Sequence, residues 1–151
     1  MEIIEYKKDH QPRFKDLNVQ WISKDFMMEE VDHQVLNDPE KYILKDGGAI
    51  LLASEDDEVI GAAALINEGH GIYELTKMAV DERHRGKHIG YKLGLAILEK
   101  AKKLNAKKVV LHSNTVFNAN AINLYKKLGF VEIPLGKSVW RRANIKMEIS
   151  L

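Results

Sequence analysis

A basic turn, Arg83-His84-Arg85-Gly86-Lys87-His88-Ile89-Gly90, separates an apolar run from a helical repeat. The run, Leu75 to Val80, closes a strand that begins at Ile72. The repeat, Leu93, Ile97, Ala101 and Leu104, lines one face of a helix over Tyr91 to Leu104. Lys107 to His112 follows as a compact strand with an apolar Val109-Val110-Leu111 centre. Strand, helix and strand in this order form a parallel crossover, which places a ligand beside the carboxyl end of its first strand. The turn has the chemistry to receive one. The first amides of a helix lack intrahelical acceptors and carry the positive end of the aligned peptide dipoles. Gly86 and Gly90 let backbone approach an anion, while Arg83, Arg85 and Lys87 add mobile positive charge. A phosphorylated ligand, most simply a cofactor, is expected here.

The rest of the chain builds around this unit. Ala49 to Ser54, Val59 to Ile66 and Ile72 to Val80 read as an antiparallel meander, punctuated by Glu55-Asp56-Asp57-Glu58 and Glu68-Gly69-His70-Gly71. Ile3 to Tyr6 is a short first strand. Phe14, Leu17, Trp21 and Ile22 predict a helix over residues 11–23, and Phe26 to Leu36 predicts a second. Asn37-Asp38-Pro39 interrupts it before one more turn over Glu40 to Lys45. Later, Ala121, Leu124, Tyr125 and Leu128 mark a helix that Gly129 ends. Phe130 to Ile133 and Ile145 to Ile149 are two late strands around a loop carrying Lys137, Trp140, Arg141 and Arg142. The expected fold is α/β: a mixed, largely antiparallel twisted sheet with helices on both faces and a central strand-helix-strand unit for the cofactor. No repeat or linker appears, so residues 1–151 are expected to form a single domain.

Bulk properties remove several function classes. A net charge of +1 argues against a dedicated nucleic-acid binder. There is no cysteine, hence no disulfide, no thiolate nucleophile and no Cys-bound metal. Six histidines are present, without the spacing of a metal site, and no metal is expected. His112, at the end of its strand, stands where a substrate would approach. The amino terminus does not read as a signal peptide, and no segment approaches the roughly 20 apolar residues of a membrane span. A cytoplasmic protein without a membrane partner is expected.

Two segments together resemble the GNAT superfamily of N-acetyltransferases. The family's pyrophosphate signature, Gln/Arg-x-x-Gly-x-Gly/Ala, falls on Arg85-Gly86-Lys87-His88-Ile89-Gly90. Its later signature, Asn-x-x-Ala-x-x-Leu-Tyr-x-x-x-Gly-Phe, is matched at Asn118, Ala121, Leu124, Tyr125, Gly129 and Phe130. The resemblance covers about residues 50–133. His88 departs from it, standing where the family usually has glycine. The resemblance implies acetyl-CoA as cosubstrate. Backbone groups of Met78, Ala79 and Val80 would hold the pantetheine arm. Amides from Arg85 through Gly86, Lys87, His88, Ile89 and Gly90 to Tyr91 would take the pyrophosphate. The acceptor would be a small-molecule or peptide amine, and homodimers are frequent in the family.

Acetyl transfer to an amine needs a base for the ammonium, a donor for the oxyanion and an acid for the leaving thiolate. Glu74 is a carboxylate inside an apolar strand, where partial burial raises its pKa towards the range of a base. The alternative is an outward-facing side chain. Tyr125 is the candidate acid, placed near the sulfur by the family match; the alternative is a core tyrosine on the apolar stripe. Asn118 is either a contact to the cofactor arm or a helix N-cap. Glu29, Glu30 and Asp32 would attract a cationic amine or form a solvated helix face. The Trp140-Arg141-Arg142 loop would close on an acidic acceptor or cap the late hairpin. The leading function is an N-acetyltransferase working by direct attack in a ternary complex, since no cysteine offers an acetyl-enzyme route. The alternative is a non-catalytic CoA-binding regulatory module.

Overall fold

The computed structural model describes residues 1–136 and 142–151. A seven-stranded mixed sheet forms its centre, with strand order β1-β2-β3-β4-β5-β7-β6. Here β1 is Glu2–Glu5, β2 Ala49–Glu55, β3 Glu58–Gly69, β4 Ile72–Val80, β5 Lys108–Ser113, β6 Val131–Ile133 and β7 Ile145–Ser150. The helices are α1 (Gln11–Asp25), α2 (Glu30–Asn37), α3 (Ile89–Lys103) and α4 (Ala119–Leu128). The meander β2-β3-β4 is antiparallel and extends to β1, while β4 and β5 are parallel. The expected architecture is therefore present, helices on both faces included.

The two faces make two cores. Side chains alternate across a strand, so Leu51, Leu65, Tyr73, Leu75, Val109 and Leu111 meet Leu93, Ile97 and Ala101 of α3 on one side. Ile50, Leu52, Ala62 and Ala64 meet Phe14 and Leu17 of α1 and Leu36 of α2 on the other. Leu93 and Ile97 are fully buried, as their spacing predicts.

Several boundaries differ from the sequence pattern. The second helix starts at Glu30, not Phe26. Phe26 is already extended, its amide closing α1 on the Ile22 carbonyl. The Glu29 amide donates to Asp32 Oδ2 at 2.9 Å, a capping interaction that fixes the later start. Helix α3 begins at Ile89, two residues before Tyr91. The turn after Pro39 is π-helical over Glu40–Leu44. Gly129 ends α4 at φ 105°, the left-handed cap its position predicted. Of the late loop, Lys137, Trp140 and Arg141 lie outside the described residues, whereas Arg142 is placed.

Two bulges interrupt the β3–β4 ladder. Ala62 faces Ala79 and Ala64 faces Thr76, so β4 carries an extra residue there. Lys77 sits in this bulge at φ 54°, a left-handed conformation costing a non-glycine residue roughly 1–2 kcal/mol. At the other end Asn67 faces Tyr73 and Gly69 faces Ile72, which leaves Glu68 of β3 unmatched.

Candidate active site

The site begins where strand pairing stops. β4 and β5 share register only from Ile72–Lys108 to Glu74–Val110. Beyond that, β4 continues along β3 to Val80 and β5 continues along β7 to Ser113. The two strands splay apart, and the wedge between them opens into a cleft of about 1150 Å³. Met78, Ala79, Val80, Arg85, Gly86, His88, Ile89, Gly90, Tyr91 and Asn118 all line it, as do Glu74 and Tyr125. Arg83, whose guanidinium bonds Asp81 and Glu58, lies outside this lining, as does Lys87. The Lys87 Nζ lies 3.5 Å from His84 Nδ1 on the exposed side of the turn.

One wall is built for an anion. The first amides of α3 point into the cleft without intrahelical acceptors, and the ladder starts with the Lys92 amide on the His88 carbonyl at 3.1 Å. His88 is the N-cap at φ 61° and ψ 20°, a left-handed conformation in which glycine is the unstrained residue. Histidine keeps the backbone path at a cost of roughly 1–2 kcal/mol. Gly86 stands at φ 80°, where a side chain is strained, and among the described residues no atom lies within 4 Å of where its Cβ would project. These features fit the diphosphate of a CoA thioester, held by the α3 amides. Gly86→Ala is expected to weaken CoA binding about tenfold, through backbone strain at this left-handed position, with calorimetry as the measure.

The ionisable candidates Glu74 and Tyr125 also line the cleft. Glu74 is 6% exposed, so the outward-facing alternative does not hold. His112 Nδ1 lies 3.8 Å from Glu74 Oε1. Tyr125 lies on the far side, its ring edge-on to Phe130 at 6.0 Å. Burial pushes its hydroxyl up to about 12, so it stays protonated and available as a donor. Asn118 is the N-cap residue of α4, but its side chain makes no cap hydrogen bond. The capping alternative therefore fails for the side chain among the described residues, and Asn118 lines the cleft.

The acidic and basic clusters turn out to be partners. Asp32 is completely buried, with Lys77 Nζ at 2.5 Å from its Oδ1. Arg142 clamps the same carboxylate with two hydrogen bonds of 2.6 and 2.8 Å and reaches Glu29 at 3.2 Å. Burial opposes ionisation of Asp32. Arg142, Lys77 and the Glu29 amide outweigh it and hold the carboxyl at about 2. Burial pushes the Lys77 ammonium down, against the pull of Asp32. Neither reading of the acidic cluster as a solvated face or as a lure for an amine survives for Asp32, because its charge is spent internally. Arg142 also lies over the rings of Trp21 and Phe26, at 5.9 and 6.0 Å.

Sequence reasoning passed over Lys77, Trp21, Phe26 and Phe117, all of which line the cleft. Phe26 meets Phe117 edge-on at 5.2 Å, so the α1–α2 connection touches the β5–α4 loop. That loop is shaped by Asn114, whose Oδ1 accepts from the Val116 and Phe117 amides. Lys77 had a readable signal, being charged within an apolar strand as Glu74 is.

Comparison with known proteins agrees with this geometry. The family model for the acetyltransferase (GNAT) family matches residues 15–130. N-acetylaspartate synthetase of Mus musculus is 39% identical over 100 residues, which is 65% of this chain and 33% of that protein. The Xenopus tropicalis protein of that name is 36% identical over 100 residues, 65% of this chain and 36% of its own. The chain thus spans about a third of the length of these relatives. A GNAT-family acetyltransferase of Staphylococcus aureus has the same fold, with a TM-score of 0.88, 24% identity and coverage of 99% and 98% of the two chains. A Bacillus subtilis acetyltransferase solved in complex with CoA superimposes with a TM-score of 0.76 at 20% identity over 99% of this chain and 98% of that one. Among the described residues no helix is long and apolar enough to cross a membrane. With the family model covering most of the chain and the two cleft motifs in place, this protein belongs to the GNAT family of acetyltransferases.

Proposed function

We propose that this enzyme transfers the acetyl group of acetyl-CoA to a primary amine by direct attack in a ternary complex. The observation that carries the reading is the splayed β4–β5 gap, with helix amides at one end, Glu74 on one wall and Tyr125 on the other. A bound thioester supplies an activated carbonyl carbon. Backbone groups of Met78, Ala79 and Val80 border the gap and serve to orient the ligand's arm, the Val80 amide facing the carbonyl oxygen. Glu74 takes a proton from the acceptor ammonium, which otherwise has no lone pair to offer. Tyr125 donates its hydroxyl proton to the departing sulfur. A module that only bound CoA would require neither side chain.

The acceptor wall mixes charges. Glu74, Lys77 and Arg142 line the cleft, with the Asp32 carboxylate buried behind the two cations. A polyamine would favour a wall of acids alone. An amine that also bears carboxylates suits a mixed wall better, and the name of the Mus musculus relative makes aspartate the first acceptor to assay. The test is thiol release from acetyl-CoA with aspartate, glutamate, spermidine and an aminoglycoside, beside calorimetry of CoA. Tyr125→Phe is expected to lower kcat about 100-fold while leaving CoA affinity within about twofold. An unchanged kcat in that variant removes the acid role.

A further inference from the structure

Glu74 is buried, yet a base that takes a proton at every turnover must also pass it to water. The β3 bulge addresses this need. Glu68 is the residue that the ladder leaves unmatched, one position from the Asn67–Tyr73 pair and beside Ile66, which faces Glu74. A bulge re-aims its side chain, and the Glu68 carboxyl comes close enough to that of Glu74 for the two to influence each other. Glu68 itself is exposed at the surface. From the other flank comes His112. Val110 is in register with Glu74, and His112 follows on the same face of β5. Its side chain is 9% exposed, and neither ring nitrogen has a hydrogen-bond partner among the described residues. A buried imidazole always carries at least one N–H, and leaving it unmade forfeits its hydration. The Glu74 carboxylate, 3.8 Å from Nδ1, is in reach of a small adjustment. Such contacts commonly tighten once substrate is bound.

We propose that Glu74, Glu68 and His112 form one proton-holding cluster, in which Glu68 and His112 are positioning residues for the Glu74 carboxylate and Glu68 is the exit to solvent. This rests on the acetyltransferase reading above. In the step, an N–H bond of the ammonium breaks, its electron pair stays on nitrogen, and an O–H bond forms on Glu74. The proton is then shared across the carboxyl pair and leaves from Glu68 to water. Two adjacent carboxyls ionise in separate steps. Desolvation, then the hydrogen bond and charge of Glu74, push Glu68 up to about 7, with Lys146 and His112 pulling the other way. Among the described residues, the charged groups facing the cluster include Lys146 of β7, opposite His112, and Lys77 of β4. The fully ionised pair accepts a proton near neutrality, a strength that a lone carboxylate lacks.

The test compares kcat against pH for the wild type, Glu68→Gln and His112→Gln with one acceptor, whose own titration is common to all three. Removing Glu68 removes a like charge, so the acid limb moves down by about one unit and kcat falls about tenfold, as a weaker base implies. Removing His112 takes away a group that favours the ionised pair, so the limb moves up. A structural role alone moves neither limb. A second readout is the carboxyl ¹³C titration of the free protein. Linked titration of Glu68 and Glu74 near neutrality in the wild type, collapsing to one lower transition for Glu74 in Glu68→Gln, supports the cluster. Independent titrations, or superimposable pH profiles, overturn it. Glu68→Gln lies at an exposed position and decides the matter even if His112→Gln does not fold. A wild type that releases no thiol with any amine refutes the enzymatic reading, and the carboxyl titration still tests the cluster.

Discussion

Glu74→Gln is expected to lower kcat by about 10²–10⁴-fold at neutral pH, the range for loss of a positioned base. The replacement keeps the shape and burial of the side chain, so the fold and the proposed CoA site are expected to stay intact. The residual rate has a distinctive form. As pH rises the acceptor amine loses its proton in solution without help, so the gap between variant and wild type narrows on the alkaline side. A steady-state comparison from pH 6 to 10 measures this. Equal kcat at pH 7 would take the base role from Glu74, and a constant ratio at every pH would assign it to binding instead.

The second large effect concerns stability. Asp32→Asn leaves Lys77 in the interior with its principal counter-charge gone. Breaking a buried pair by deleting one partner costs about 3–5 kcal/mol. At roughly 2–4 °C per kcal/mol for a chain of this size, Tm falls by about 6–20 °C. Lys77→Met in the same background removes the stranded ammonium and is expected to recover part of the loss, a non-additivity that a double-mutant cycle reads directly. The pH dependence has a definite sign. The Asp32 carboxyl sits at about 2 in the fold, below its ordinary value of about 3.9. Its stabilisation is complete above about pH 4 and is lost as pH falls towards 2. Acid unfolding of the wild type should show this loss, and that of Asp32→Asn should not. Coincident acid limbs would place the stability elsewhere.

Local patterns made the cofactor half of the molecule legible. The glycine turn, the α3 stripe and the Gly129 cap are all set by residues within a few positions of one another, and each lies where expected. The amino-terminal helices were read less well. The Glu29–Asp32 spacing is that of a capping interaction, but three acids in four residues read as surface, and so the start of α2 was placed too early. The acceptor wall was hidden for a different reason. Glu74 and Lys77 are three residues apart, and on a regular strand they would face opposite ways. The bulge at Lys77 brings both to the cleft. Arg142 reaches Asp32 across 110 residues because β7 inserts between β5 and β6, an order that no local signal encodes.

The narrow seam between β4 and β5 has a mechanical consequence. A sheet of seven strands would ordinarily be stiff throughout, but here two blocks, one ending at β4 and the other starting at β5, are stitched by a single short run of main-chain bonds. On the proposed reading, an amide-bearing ligand arm lying in the wedge would supply the missing stitches, as a temporary eighth strand. Occupancy of the cleft and rigidity of the whole sheet would then become the same variable, and the substrate would brace the very framework that must aim it.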